Sequence, residues 1–255
     1  MPLIPIRAAI LAFALAAPAA ALAQAPAFSD PQRRAIEQIV KEYLLKNPEI
    51  LHEALLELEK RQQEAQKVAQ RTALKEHRAA IVNPSRSIVA GNPSGDVTLV
   101  EFFDYNCGYC KRALTDIQTL VKADPKLKVV LKDFPVLGPD SVEAARVSVA
   151  VKQQLSGAKL FDFHTRVLET RGRVNGDRAL AVAKEMGLDM GRLQKDLDSA
   201  ETRAVLQENM TIADRLGLTG TPAFILGEDI IPGAVGAEPL RQAIASVRKC
   251  GKAEC

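Results

Sequence analysis

The chain of 255 residues has no tryptophan, and aromatic residues make up only 4% of it. Its core must therefore be built from Leu, Val, Ile and Ala. Histidine is nearly missing as well. His52, His77 and His164 are the only three, and none has metal-ligand spacing to a partner. An excess of charge of one sign is also lacking: the formal net charge is +3, with basic and acidic residues interleaved. That balance excludes a nucleic-acid-binding profile and reads as a solvated helical surface. No glycine-rich phosphate loop and no Ser-His-Asp constellation occurs. Beyond the N-terminus no apolar run approaches the roughly 20 residues needed to cross a bilayer, so the mature chain is expected to be soluble. Cysteine is scarce, with four in the chain, but the four fall in two close pairs, Cys107 with Cys110 and Cys250 with Cys255.

The first residues, MPLIPIRAAILAFALAAPAAALAQ, read as an export signal. Arg7 is the only charge, an apolar core runs from Ala8 to Ala17, and Ala21-Leu22-Ala23 supplies the small-x-small cleavage pattern. The spacing places a signal peptide over residues 1–23. The alternative is an N-terminal membrane anchor, for which the apolar core is short. Export matters for the cysteines, because outside the cytoplasm a thiol pair can be oxidised and remain so.

Ser29-Asp30-Pro31 is a helix start, a capping side chain followed by proline at the first helical position. The helix runs to about Lys46, and Asn47-Pro48 breaks it. A second helix, rich in Glu, Lys, Gln, Arg and Ala, extends to about Ala80. Within it Leu51, Leu55, Leu58, Gln62, Ala65, Ala69 and Thr72 alternate in steps of four and three, the seam of a coiled coil. A helix packed on its own domain is the other reading. The apolar stripe is narrow, which suits a partner helix, so residues 24–82 are read as a helical oligomerisation arm closed by Asn83-Pro84. Strands are expected at Ser87–Ala90, Val97–Phe103, Lys128–Phe134, Ala223–Leu226 and Asp229–Ile231. Lys111–Ala123 and Ala237–Lys249 read as helices. From about residue 139 to 216 the pattern is helical throughout, with breaks near Gly157, Gly172–Asp177 and Gly187–Asp189. Strands alternating with helices argue an α/β fold carrying an inserted helical subdomain.

Cys107 and Cys110 follow a buried strand and open a helix. Free backbone N–H groups and the positive end of the helix dipole stabilise a thiolate at Cys107. Cys110 lies one turn on and is less exposed. That is the arrangement of a reactive dithiol, in which Cys107 attacks and Cys110 resolves the mixed disulfide. A Cys107 pKa about three units below neutral would favour the reduced form by roughly 4 kcal/mol, or roughly 90 mV of oxidising power. The helix dipole supplies less than that alone, so Gly108-Tyr109 and nearby loops must contribute. Zinc held by all four cysteines is the competing reading. It is disfavoured because the first pair interrupts a strand and a helix and the second lies in a charged tail.

VEFFDYNCGYC, KDFPVLGPDS and GLTGTPAFILG together resemble the DsbA-like periplasmic thiol–disulfide oxidoreductases of the thioredoxin superfamily. Within that superfamily they resemble the Com-one-like and copper-sensitivity-suppressor branch, whose members carry a helical N-terminal arm. The resemblance covers nearly all of the mature chain. It implies a thioredoxin fold over residues 83–255, with Cys107 the nucleophile and Cys110 the resolving thiol. Pro222 would be a cis-proline facing them, Thr221 would offer backbone hydrogen bonds to a substrate peptide, and Gly108 and Tyr109 would share in substrate binding. Glu101 matches the buried acid that helps move the Cys110 proton; an edge-strand charge reaching solvent is its other reading.

The same resemblance implies cysteine-bearing periplasmic proteins as substrates and an inner-membrane redox partner. No bound cofactor and no metal are expected, because the dithiol is its own redox centre. Gly-Tyr between the cysteines and Thr before the proline resemble disulfide isomerases, whereas the helical insertion resembles the oxidases. Isomerase or shuffling activity in a homo-oligomer joined by the arm is the expectation. A monomeric net dithiol oxidase is the alternative, and an oligomeric metal-handling or holdase protein is the alternative of another class. In KCGKAEC, four residues including a glycine separate Cys250 from Cys255, enough to close a small loop, so a structural disulfide is expected. Free thiols or a second redox or metal site are the alternatives there.

Overall fold

The computed structural model describes residues 28–82 and 87–255. The expected signal peptide, residues 1–23, and the arm's closing Asn83-Pro84 lie outside the described residues. The chain divides into two compact units, one ending at Lys60 and one running from Arg61 to Cys255.

In the first unit, α1 (Asp30–Lys46) starts at the expected place. The backbone N–H of Ser29 donates to the Gln32 side chain at 2.9 Å, and Pro31 lies in the first turn. Asn47 ends the helix by donating to the Tyr43 carbonyl from its side-chain amide at 2.8 Å. After Pro48 the chain enters α2 (Glu49–Glu76). No residue of α1 is buried. Leu51, Leu55 and Leu58, the leucines of the heptad seam, are 50%, 58% and 51% exposed.

The second unit takes up the rest of α2, whose last turns behave differently. Ala73 and Leu74 are buried, as is Ile81 of the short α3 (Arg78–Ile81), in a core with Val100, Phe102, Val130, Phe134 and Leu216. The division at Lys60/Arg61 thus falls inside the segment that the sequence assigns to the arm. α2 also stops at Glu76 rather than near Ala80, with His77 separating it from α3.

Among the described residues, five strands form one sheet: β1 (Ile88–Gly91), β2 (Val97–Phe103), β3 (Leu127–Asp133), β4 (Ala223–Leu226) and β5 (Asp229–Pro232), in the order β1-β3-β2-β4-β5. Only β2 and β3 pair in parallel, and α4 (Gly108–Ala123) is the crossover that a parallel pair requires. The central β2 is buried on both faces. Side chains alternate along a strand, so Leu99 and Phe103 join one core while Val100 and Phe102 join the other. The first core also takes residues from α4, α6 (Gly157–Glu169) and α10 (Ala237–Cys250). Between β3 and β4 come α5 (Pro139–Val151), α6, α7 (Gly176–Glu185), α8 (Met190–Leu197) and α9 (Ala200–Arg215), the expected helical insertion. One break within it has no glycine to announce it. Ser199 separates α8 from α9 and caps the latter by accepting the Thr202 N–H at 3.0 Å.

Candidate active site

Beyond Phe103 the chain leaves the sheet, and Asp104 fixes its course. The buried carboxylate accepts the N–H of Asn106 at 2.7 Å, those of Val136 and Leu137 at 2.9 Å, and the Ser141 hydroxyl at 2.7 Å. Asn106 ties the same turn to the insertion. Its amide donates to Ser141 Oγ and the Val174 carbonyl, each at 2.9 Å, and its oxygen accepts the Val174 N–H at 2.7 Å. Neither residue is singled out by sequence reasoning, because every partner but one lies 32 residues or more away. Two polar residues between an apolar strand and a cysteine are the local signal that marks them.

Cys107 is the N-cap of α4, where N–H groups have no helical partner. It is 6% exposed, Cys110 is fully buried, and both are free thiols. As a thiol, Cys107 donates to the Thr221 carbonyl at 3.1 Å. As a thiolate it is stabilised chiefly by the Cys110 thiol, then by the Thr221 side chain and the N–H groups of Cys110 and Tyr109. Against the cost of burial, these donors bring its pKa down from 9.0 to about 5. Cys110 moves the other way. Burial, the bond to Cys107 and the charge of Glu101 push its pKa far up. One sulfur is therefore a thiolate at neutral pH and its neighbour a thiol.

Glu101 lies on the same face of β2 as Leu99 and Phe103, two positions from each. It is 1% exposed, and its Oε1 has no hydrogen-bond partner in the structure. Because β2 is the central strand, Glu101 does not reach solvent. Burial above all, then the negative charges of Cys107 and Asp116, raise its carboxyl from 4.5 to about 8, so it holds a proton at neutral pH.

The antiparallel register of β4 on β2 sets Ala223 opposite Phe102. Running back from Ala223, the chain brings Pro222 and Thr221 alongside the exit of β2 and so to Cys107. The Thr221-Pro222 peptide is cis. Beside it opens a groove of about 510 Å³ whose lining includes Tyr109, Leu218, Pro222 and Pro232. Tyr109 is 58% exposed, with the Arg112 guanidinium 4.3 Å from its ring centre. At Gly108 an added Cβ meets nothing within 4 Å, so this position faces open space.

Beneath the site, the Tyr105 hydroxyl meets Ser148 Oγ at 3.0 Å and His164 Nδ1 at 3.3 Å. His164 is fully buried, and burial lowers its pKa to about 3, so it packs as a neutral ring against Phe103. The second cysteine pair stands apart from the first. Cys250 and Cys255 are bonded to each other, with Cα atoms 6.2 Å apart. Their loop docks on the β4–β5 turn through the Ala253 N–H, which donates to Asp229 at 2.8 Å. Among the described residues, no three His, Cys, Asp or Glu side chains converge as metal ligands.

Residues 98–245 match the family described as DSBA-like thioredoxin domain, and residues 32–65 match the copper resistance protein ScsC N-terminal domain. A thioredoxin-like oxidoreductase from Silicibacter pomeroyi DSS-3 superimposes with a TM-score of 0.64 at 40% identity, over 68% of this chain and 98% of that one. A linker-deletion mutant of Proteus mirabilis ScsC superimposes with a TM-score of 0.66 at 25% identity, over 88% of this chain and 98% of that one. A curated relative, the Na(+)/H(+) antiporter NhaA 1 of Salinispora arenicola, is 27% identical over 167 residues, 65% of this chain. The chain spans only a quarter of that relative's length, and among the described residues no helix is long and apolar enough to cross a membrane.

Proposed function

Because this chain belongs to the DSBA-like thioredoxin domain family, we propose that it exchanges disulfides with the cysteines of client proteins through Cys107 and Cys110. The observation that carries this reading is the asymmetry of the pair: a thiolate at the helix N-cap above a buried thiol. In the oxidised protein a client thiolate attacks Cys107 Sγ, a mixed disulfide forms, and the Cys107–Cys110 bond breaks with its electron pair on Cys110. Glu101, protonated at neutral pH, supplies the proton that the buried Cys110 thiolate takes up. A second client thiolate then attacks the client sulfur and releases Cys107 as a thiolate. The client gains a disulfide and the enzyme dithiol is reduced. In the opposite sense, the Cys107 thiolate opens a wrong client disulfide and the client closes a different one, with no net change of electrons.

The shuffling sense is the one we favour. Isomerisation is served by two or more sites held together, and the exposed leucines of the first unit are suited to joining copies of the chain through their arms. Leu51, Leu55 and Leu58 all lie in residues 32–65, the segment that matches the copper resistance protein ScsC N-terminal domain. The proposed setting is the periplasm, after loss of residues 1–23, with an inner-membrane partner resetting the dithiol. A similar fold is seen in a periplasmic thioredoxin-like protein from Salmonella enterica.

Reactivation of scrambled ribonuclease tests this. The arm is disabled by Leu51→Ser, Leu55→Ser and Leu58→Ser together, rather than by truncation near Asn83, which would strip Leu74 and Ile81 from the second core. Reactivation by the mature protein, lost in the triple variant, supports an isomerase assembled by its arm. If neither reactivates scrambled ribonuclease but both oxidise the reduced form, the protein is a net oxidase.

A further inference from the structure

The groove beside Thr221-Pro222 takes one of its walls from a helix that precedes the sheet. Gln70 of α2 lines it, together with Tyr109, Leu218, Pro222, Ile230 and Pro232. Gln70 is half-buried, and its amide donates to the Leu216 carbonyl at 3.1 Å, across 146 residues of sequence. The next residue, Gly217, has φ +64°, and a Cβ there would lie 3.7 Å from Gln70 Nε2 and 3.8 Å from Gln66 Nε2. Two glutamines of α2 thus overlie the backbone that leads into Thr221-Pro222. Ala73 and Leu74, one turn further along, are core residues and fix the helix in place. A glutamine amide has two N–H donors and an acceptor oxygen, so the bond to Leu216 leaves one N–H and the oxygen to spare. An extended polypeptide presents the complementary C=O and N–H groups along its backbone.

Resting on the exchange reading above, we propose that Gln70 is a client-binding residue. The last turns of α2 form a wall of the groove that receives the extended segment flanking a client's reacting cysteine, and Gln70 hydrogen-bonds that segment's backbone. The occupant is a cysteine-bearing peptide segment because Thr221 lines the groove and its carbonyl accepts from Cys107 Sγ at 3.1 Å, so a client bound to Cys107 by a mixed disulfide starts at the groove's edge. α2 therefore contributes Gln70 to the substrate site as well as Ala73 and Leu74 to the core.

The test uses the full chain carrying Cys110→Ser, so that the mixed disulfide persists. The probe is an octapeptide whose cysteine is activated as a disulfide with thionitrobenzoate and which carries a benzophenone side chain two residues away. Attack by the Cys107 thiolate breaks the activated disulfide, forms the mixed disulfide and releases yellow thionitrobenzoate. Irradiation and trypsin digestion then locate the crosslink. Attachment to the tryptic peptide Val68–Arg71 is the expected result. Crosslinks confined to Tyr109 and the segment from Gly217 to Gly233 would overturn the proposal while leaving the exchange reading intact. Absence of thionitrobenzoate release overturns the exchange reading, and this proposal with it. In a second arm, Gln70→Ala is expected to slow reaction with the peptide about fivefold, the worth of one neutral hydrogen bond. Its rate with glutathione disulfide and its reduction potential should not change. Equal slowing with both probes, or none with either, would show that Gln70 does not contact the client.

Discussion

At Cys107 four donors outweigh the cost of burying a charge, and the first of them is the thiol of Cys110. Alkylation of the reduced protein by iodoacetamide should therefore titrate with a midpoint near pH 5, well below that of an ordinary cysteine. Cys110→Ala deletes the principal donor and leaves the Thr221 side chain and two backbone N–H groups, so the midpoint should rise. An unchanged midpoint in that variant would assign the thiolate to the Thr221 side chain and the two backbone N–H groups. The components of this site differ in how far they can be read from sequence. Cys107, Cys110 and Thr221-Pro222 are contiguous motifs. Glu101 is reached only through the resemblance to the DsbA-like oxidoreductases, and its burial depends on β2 being central. Asp104, Asn106 and Gln70 escape notice because their roles are created by partners brought together in folding.

α2 shows how one helix can serve two surroundings. Its seam leucines read as positions for a partner helix, and Leu51, Leu55 and Leu58 are exposed accordingly. Further along, the same helix buries Ala73 and Leu74, because the sheet face formed by Val100, Phe102 and Ile225 accepts small and aliphatic side chains there. The heptad pattern does not mark the change, because Ala73 and Leu74 lie off the seam, whose last position, Thr72, is exposed. The two halves should separate by mutation. Leu74→Ala, at a site 5% exposed, is expected to cost about 2–4 kcal/mol of stability in denaturant unfolding. Leu58→Ala, at a site 51% exposed, should leave the unfolding midpoint of the second unit within about 0.5 kcal/mol of the parent and act on self-association instead. Sedimentation of both variants distinguishes the effects. A loss of stability in Leu58→Ala equal to that of Leu74→Ala would mean that the whole of α2 serves one core. The strands and the helical insertion are legible from composition and glycine breaks. The break at Ser199 is not, because a capping serine in the midst of a polar helical run looks like any other surface serine.

For the whole molecule, the redox state of the dithiol must alter how stability depends on pH, because two groups on one face of the sheet titrate in opposite senses. Cys107 has its pKa depressed in the folded chain, from 9.0 to about 5. Its contribution is fully present above pH 9 and is lost as the pH falls through 5. Glu101 has its pKa raised from 4.5 to about 8. Its contribution is fully present below pH 4.5 and is lost as the pH rises through 8. Oxidation removes the Cys107 titration altogether and leaves that of Glu101. The gap in melting temperature between reduced and oxidised protein should therefore shift in favour of the reduced form as the pH rises from 4.5 to 8. Closing the short disulfide ring adds an offset that does not depend on pH, so the slope is the quantity to measure. Part of the rise at Glu101 comes from the Cys107 charge itself, and this repulsion opposes the Cys107 gain over the same interval. Glu101→Gln removes the opposition, so the slope should steepen in that variant. Calorimetry of both redox forms at pH 4.5, 6 and 8, for parent and variant, gives the four curves needed. A steep slope means that the folded chain favours its dithiol and drives clients toward disulfides, whereas a shallow one suits a protein that both opens and closes them. No slope in either protein would mean that the fold does not hold Cys107 as a thiolate, and the exchange reading would lose the observation that carries it.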